Sequence, residues 1–230
     1  MTVMLPLPER RGLVVQLRAS PFFRGLDEPA LNDLARDAVW REHAAGEVIF
    51  LEGDASPGLY YLEAGWLKAV KTSPEGREQV LRFIGPGETF NEIGVFANLP
   101  NPATAIALEA VGVWLLRREG LMRLLRQQPD LAGHVIENMA GRVIDLVNLV
   151  ADLSLRPVTG RLARLLLDGA TGDVLHRPHW HTQAELAAQL GTVPDVVQRA
   201  LRGLAADGLI DVERTLIRLR DRAALEKLAQ

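Results

Sequence analysis

The 230-residue chain contains no cysteine. That removes disulfides, thiolate nucleophiles, iron–sulfur clusters and cysteine-ligated zinc together. No stretch approaches the roughly 20 apolar residues that a membrane helix needs. The N-terminal "MTVMLPLPERRGLVVQL" places its arginines after two prolines and not before an apolar run, which is not the layout of a signal peptide. These absences point to a cytoplasmic protein without membrane contact. An excess of charge of either sign is also lacking, the net being −3. The chain as a whole therefore lacks the basic excess of a nucleic-acid binder. Its last third, from residue 156, nevertheless carries slightly more Lys and Arg than Asp and Glu, on an otherwise acidic chain. What remains is the composition of a globular protein, 48% apolar and 24% charged, with length for one large domain or two ordinary ones.

Three textures follow one another along the chain. Residues 13–40 have apolar positions at helical spacing, with Pro29 near a helix start. From Glu42 to Arg117 the segments "EVIFLEG", "GLYYLEAGWLKAVKT", "EQVLRFI" and "TAIALEAVGVWLLRR" are short, rich in β-branched or aromatic residues and separated by glycines. Closely spaced strands of this kind predict an all-β sandwich or barrel. Beyond them, Ile136, Met139, Val143, Leu146, Val150 and Leu153 recur at alternating steps of three and four, a heptad seam on one helix. Ile144, Val147 and Leu149 add a second apolar flank. A helix with two apolar faces has two surfaces to bury, which predicts a parallel two-helix dimer. Arg156 and Pro157 end the helix at a hinge.

The final stretch, "HTQAELAAQLGTVPDVVQRALRGLAADGLI", reads as two short helices around a tight turn. Thr182 and Glu185 form a capping box, with Gln183 opening the helix behind it, and Leu186, Ala187 and Leu190 are its buried side. Gly191 supplies the left-handed cap and Pro194 opens the second helix. On that helix Val197, Leu201 and Leu204 face inward, while Asp195, Gln198, Arg199 and Arg202 share a polar face. "GLIDVERTLIRLRD" follows as a strand–turn–strand wing. Arginine and glutamine near the start of such a helix are the residue types that bond base edges in the major groove.

A second motif lies inside the β region. "GETFNEIGVFANLPNPATA" presents Gly87, Glu88, Phe90, Asn91 and Glu92 on a glycine-punctuated turn, followed by a proline-rich loop through Asn101, Pro102 and Ala103. Exposed amides in such a turn suit an anion, yet the stretch has no arginine to pair with a phosphate.

The order of a β-roll, a long helix and a winged helix-turn-helix resembles the CRP/FNR family of bacterial transcription regulators, from about Phe22 to Leu228. The stretches "AAGEVIFLEGDASPGLYYLEAGWLKAV", "ENMAGRVIDLV", "RPVTGRLARLLL" and "TQAELAAQLGT…VVQRALRGLAADGLI" carry the resemblance. It implies an α+β fold with a cyclic-nucleotide-binding-like β-roll over residues 1–128, a dimerisation helix over 129–155 and a winged helix-turn-helix domain over 156–230. It further implies a homodimer on a pseudo-palindromic double-stranded operator, contact with RNA polymerase and no enzymatic activity. A cupin-type metalloenzyme reading fails because residues 42–117 contain only one histidine, His43.

In cyclic-AMP-binding members of the family, a Gly-Glu pair and an Arg-Ser pair hold the ribose and the phosphate. Here Glu92 keeps the glutamate position, Asn91 replaces the glycine, and the Arg-Ser pair falls on Asn101 and Pro102. The family's adenine-contacting Thr-Ser pair falls on Leu146 and Val147. The effector expected is therefore not cyclic AMP, and some members need none. The cassette's texture also resembles the haem-associated, nitric-oxide-responsive branch, for which His43 and His134 are the candidate ligands. A ligand-gated β-roll module without a DNA role is the reading from a different class. His176, His179 and His181 lie close enough in sequence to suggest a metal, but the resemblance implies that they stand on the short hairpin entering the DNA-binding domain, at an exposed polar turn, so no metal is expected. At the recognition helix, Pro194, Asp195 and Arg199 fall on the base-reading positions, with Arg199 the strongest reader.

Overall fold

In the computed structural model, residues 10–230 are described; the prolines weighed above as part of a leader lie outside them. The described chain divides into two compact units, residues 10–71 with 82–144, and residues 72–81 with 145–230. The division falls within one long helix.

The first unit opens with α1 (Arg10–Ala19), a 3-10 turn (Pro21–Phe23) and α2 (Glu28–Arg36). Asp27 caps α2 by accepting the Ala30 amide at 2.9 Å. The strands are β1 (Val39–His43), β2 (Val48–Phe50), β3 (Gly58–Ala64), β4 (Leu67–Thr72), β5 (Glu78–Ile84), β6 (Thr89–Phe90), β7 (Thr104–Ala107) and β8 (Val111–Arg117), with α3 (Glu92–Ala97) between β6 and β7; the end of β4 and residues 78–81 of β5 are counted with the second unit. They form two four-stranded sheets, in the orders β1-β8-β3-β6 and β2-β7-β4-β5. After β8 come α4 (Arg118–Gln127) and α5 (Pro129–Leu155), separated by a break where Pro129 opens the second helix.

β3 and β8 explain why these strands read as continuous apolar runs. They pair antiparallel over most of their length, and successive side chains point to opposite faces. Tyr60 and Leu62, with Val111, Val113 and Leu115, enter a core between the sheets. Leu59 and Tyr61, with Trp114 and Leu116, enter a second core, under α1, α2, α4 and the start of α5. A strand with apolar company on both faces cannot show the polar alternation of a half-exposed one.

The structure differs from the sequence reading in several places. The helical pattern taken to residue 40 stops at Arg36, and Val39–His43 is a strand, because Val39 and Trp40 pair with Leu115 and Trp114. "EVIFLEG" contributes only Val48–Phe50, its ladder interrupted by a register shift. The supposed turn after Asn91 is a helix, α3, entered and left through left-handed asparagines, Asn91 (φ 73°) and Asn98 (φ 56°).

The second unit comprises the end of α5, then α6 (Val158–Gly169), β9 (Val174–His176), α7 (Gln183–Leu190), α8 (Pro194–Ala206), β10 (Ile210–Val212), β11 (Leu216–Leu219) and α9 (Arg222–Leu228). The wing has a third strand that the sequence reading missed, in the order β10-β11-β9. The core is Leu162, Ala163 and Leu166 of α6 against Leu186, Leu190, Val197, Leu201, Ile217 and Leu225.

Gly191 between α7 and α8 has φ +63°, and a Cβ there would lie 2.5 Å from Leu153 Cδ2. Gly191→Ala should lose about 1–2 kcal/mol from the left-handed backbone alone, with the clash in addition. Thermal unfolding measures it, and an unchanged midpoint would refute this account of the turn.

Candidate nucleic-acid interface and effector cassette

The helix-turn-helix is built from its caps. Thr182 is extended (φ −74°, ψ 173°) and its Oγ1 accepts the Glu185 amide at 3.3 Å, so α7 begins at Gln183. The left-handed Gly191 closes α7 by donating its amide to Ala187. Val193 is extended and Pro194 takes the first turn of α8, where a missing N–H costs nothing. Val197, Leu201 and Leu204 are buried. Asp195, Gln198, Arg199 and Arg202 are all exposed, as are Thr182, Gln183 and Pro194. The recognition face thus stands clear of the unit's own core. On the wing, Arg218 pairs with Glu213 and Arg220 with Asp211.

The three histidines do not converge on a metal: no cluster of metal-ligating side chains occurs among the described residues. His176 lies exposed on β9 and His179 exposed in the loop that follows. His181 is instead half-buried, next to the Thr182 cap, with its ring 5.5 Å from that of Trp180. Its carbonyl accepts Arg177 Nη2 at 3.1 Å. Burial, and then the Arg177 charge, hold its imidazole below the usual histidine range, while a hydrogen bond with Gln189 opposes them.

In the first unit the cassette residues divide by role. Gly87 (φ +89°) makes the turn before β6. Glu88 secures that turn, accepting Arg82 Nη2 at 2.6 Å and the Gly85 amide at 2.7 Å. Phe90 stacks on Tyr60 (5.0 Å between centroids) and Phe50 (6.0 Å) inside the core between the sheets. Both were candidates for an effector pocket; Glu88 is committed to the turn and Phe90 to the core.

Asn91 donates to Ser56 Oγ at 2.8 Å and to the Gly58 carbonyl, tying the cassette to the loop before β3. Glu92 is 5% exposed and its Oε1 accepts Thr89 Oγ1 at 2.8 Å. Asn101 is buried, and its Nδ2 donates to the Leu51 carbonyl. Its Oδ1 has no hydrogen-bond partner among the described residues. An uncharged acceptor therefore stands where an anion would require a cation. Pro102 is exposed, its carbonyl accepting Lys71 Nζ, and Ala103 is buried.

On α5, Leu131 and Val135 are buried in the first unit and Met139 packs partly against the same core. Ile136, Val143, Val147 and Val150 remain exposed, each by more than half, and Leu146 by 39%. Leu153 lies against the Gly191 turn. The exposed stripe is therefore displaced from the predicted seam: Met139 and Leu153 are engaged within the chain, while Val147, read as flank, joins Ile136, Val143 and Val150. Leu146 and Val147 belong to the second unit. The sequence reading missed Arg142, which lies 3.8 Å from Glu92; an arginine on a heptad helix reads as a solvated position, and nothing in the spacing marks its partner.

A two-sheet roll, a long helix and a winged helix-turn-helix with an open recognition face define the class of transcription regulators that join a sensor-like domain to a DNA reader. Residues 40–128 match the "Cyclic nucleotide-binding domain" family and residues 160–228 the "Crp-like helix-turn-helix domain". The "Cyclic AMP receptor protein" of Thermus thermophilus is 31% identical over 218 residues, covering 93% of this chain and 98% of that protein. The "CRP-like cAMP-activated global transcriptional regulator" of Mycobacterium tuberculosis is 27% identical over 220 residues, with 93% and 98% covered. The structure of FixK2 from Bradyrhizobium japonicum shares the fold, with a TM-score of 0.74 at 22% identity over 84% of this chain and 98% of that one. The chain belongs to the CRP/FNR family of DNA-binding transcription regulators. No helix among the described residues is long and apolar enough to cross a membrane.

The His181 environment has a consequence for stability. An unfolded histidine takes up its proton near pH 6.5, whereas folded His181 resists protonation. Below that pH the unfolded state binds more protons, so stability falls with falling pH; above it the contribution is fully present. Thermal midpoints should drop between about pH 7.5 and 5.5, and His181→Gln should shrink that drop. Some slope should remain, since burial lowers His43 in the same direction. An undiminished slope in His181→Gln would contradict the assignment.

Proposed function

We propose that the protein is a cytoplasmic, homodimeric transcription regulator that reads a pseudo-palindromic operator, contacts RNA polymerase there and does not use cyclic AMP. The observation that carries it is the exposed polar face of α8, with Asp195, Gln198, Arg199 and Arg202 outward and Val197, Leu201 and Leu204 buried beneath. The exposed stripe through Ile136, Val143, Val147 and Val150 supports a second copy on α5. Two recognition helices related by a two-fold axis then require two half-sites.

Within each half-site Arg199 is the base reader, its fork matching guanine O6 and N7. Asp195 accepts from a cytosine amino group, directly or through water, and Pro194 offers no donor. Gln198 and Arg202 serve phosphates or flanking bases, with Thr182 and Gln183 on the backbone at the start of α7. Arg199→Ala should lose about 1–3 kcal/mol per half-site and relax preference at one guanine. Arg202→Ala should weaken all sequences alike and lower the salt dependence. Binding to a selected two-part operator, randomised one position at a time, separates the two. Base preferences left intact by Arg199→Ala would mean that α8 does not lie in the groove this way.

The relatives named for cyclic AMP do not transfer that ligand. Asn101 is uncharged, donates to the Leu51 carbonyl and leaves its Oδ1, an acceptor, without a partner among the described residues. A buried phosphate deprived of its cation loses roughly 2–5 kcal/mol. Haem finds no better donor set: His43 sits on β1 beside Glu47, His134 lies against Gly25, and Phe50, Tyr60 and Phe90 fill the space between the sheets. The reading is accordingly of a regulator without a cofactor. Isothermal titration with cyclic AMP should show no low-micromolar binding, and such a dissociation constant would overturn the assignment of Asn101.

A further inference from the structure

α5 ends at Leu155 and α6 begins at Val158, with only Arg156 and Pro157 between them. A corner this short leaves the angle between two helices to the side chains on either side of it. Here one carboxylate serves both sides. Asp152, a turn before the end of α5, accepts a hydrogen bond from Arg156 Nη1. The same Oδ1 lies 3.6 Å from Nη1 of Arg164, in the second turn of α6. The three side chains are 20–33% exposed, so water screens them less than it screens the open pairs of the wing. Arg164 also lies 3.5 Å from Asp168, but that carboxylate is 72% exposed, belongs to α6 and does not cross the corner. The residue after Asp152 supplies the apolar half of the joint, since Leu153 lies against the Gly191 turn between α7 and α8. The last turn of α5 is thus held to α6 by charge and to the helix-turn-helix by packing, all within the second unit.

We propose that Asp152, by bridging the corner to Arg156 and Arg164, sets the spacing between the two half-sites that the dimer accepts. This deepens, and rests on, the homodimeric DNA-binding reading above. By the helical period Asp152 lies on the face of α5 opposite Val147 and Val150, which stand exposed where a second copy would pack. The same turns of α5 therefore meet the partner copy on one side and the DNA reader on the other. The distance and angle between the two copies of α8 follow from that pairing and from the α5–α6 corner, and the separation of the half-sites mirrors them. A corner held by a shared carboxylate admits one separation. A corner free to bend admits several, and binds each less well because the bend must be fixed on binding. Arg199 decides which bases are read within a half-site, so spacing and base preference are separable properties with separate residues. Asp152 is in this sense a positioning residue, acting on DNA through the helix it orients.

The test uses the full chain and a duplex selected by the wild type from a random pool, remade with the gap between half-sites lengthened and shortened by single base pairs. The wild type should bind the selected gap best and fall steeply on either side. In Asp152→Asn and in Arg164→Met that fall should be about fivefold shallower, within the span expected when coupled neighbours are separated. Binding at the selected gap should weaken, and base preferences within each half-site should stay as they are. Asp168→Asn, which alters the carboxylate outside the corner, should keep the wild-type profile. Amide hydrogen exchange, read without DNA, should speed at residues 155–161 in the two corner variants. A wild-type gap profile in both variants overturns the proposal, as does a wild type indifferent to the gap. Weakening by one factor at every gap marks a merely structural role and overturns it as well. Arg164→Met alone decides the matter if Asp152→Asn does not fold. A wild type that binds a lone half-site as tightly as the pair sinks the dimeric reading and the spacing role with it, and one that binds no duplex sinks the DNA-binding reading, so the failures are told apart.

Discussion

The antiparallel pairing of β3 with β8 is the constraint on which the first unit hangs. Because their alternate residues feed two different cores, this pair is at once the floor of the helical layer and a wall of the roll. β6 is held on the outer edge of β3 by Tyr60 opposite Phe90, and Asn91 and α3 follow directly. α5 starts from the other core, through Leu131 and Val135. Cassette and long helix are thus referred to the same two strands, and a small displacement of either is resisted by close-packed side chains and not by a flexible loop.

That rigidity gives the polar residues of the cassette their meaning. Glu88, Asn91, Glu92 and Asn101 could each have served a ligand, and each is instead bonded within the protein. Buried polar groups must find partners, and once a turn, a loop and a helix have supplied them, less remains to reward a bound anion. The asparagines at 91 and 101 show the substitution most clearly. One enters a left-handed conformation that favours glycine or asparagine, and the other is an uncharged amide that bonds the Leu51 carbonyl of a neighbouring loop.

The DNA-binding unit follows a simpler logic. Its two short helices would be marginal in isolation, and each is fixed by termini that satisfy orphan backbone groups: Thr182, Gly191 and Pro194. With the helices pinned by their ends and by Val197, Leu201 and Leu204, the remaining face of α8 carries no packing duty. Its arginines, Arg199 and Arg202, stand exposed on that face.

Local signals were legible before any coordinates. Capping residues, the left-handed glycine, the apolar face of α8 and the strand-rich texture of the roll all depend on neighbours within a few residues, and the chain writes them plainly. Groups whose partners are distant in sequence were not. β1 resembled the end of a helix because its identity comes from β8, and β9 was missed because its partner is β11. The heptad seam showed that α5 has apolar surface to spare, but packing settled which residues stay exposed, engaging Met139 and Leu153 and leaving Val147 open. The bonds of Glu88 with Arg82 and the Gly85 amide are likewise set by the fold of the turn, and no spacing in the cassette announces them. Arg142 gave no signal at all, since a side chain's ion pair is a fact of three dimensions, created only when α5 is laid beside the cassette.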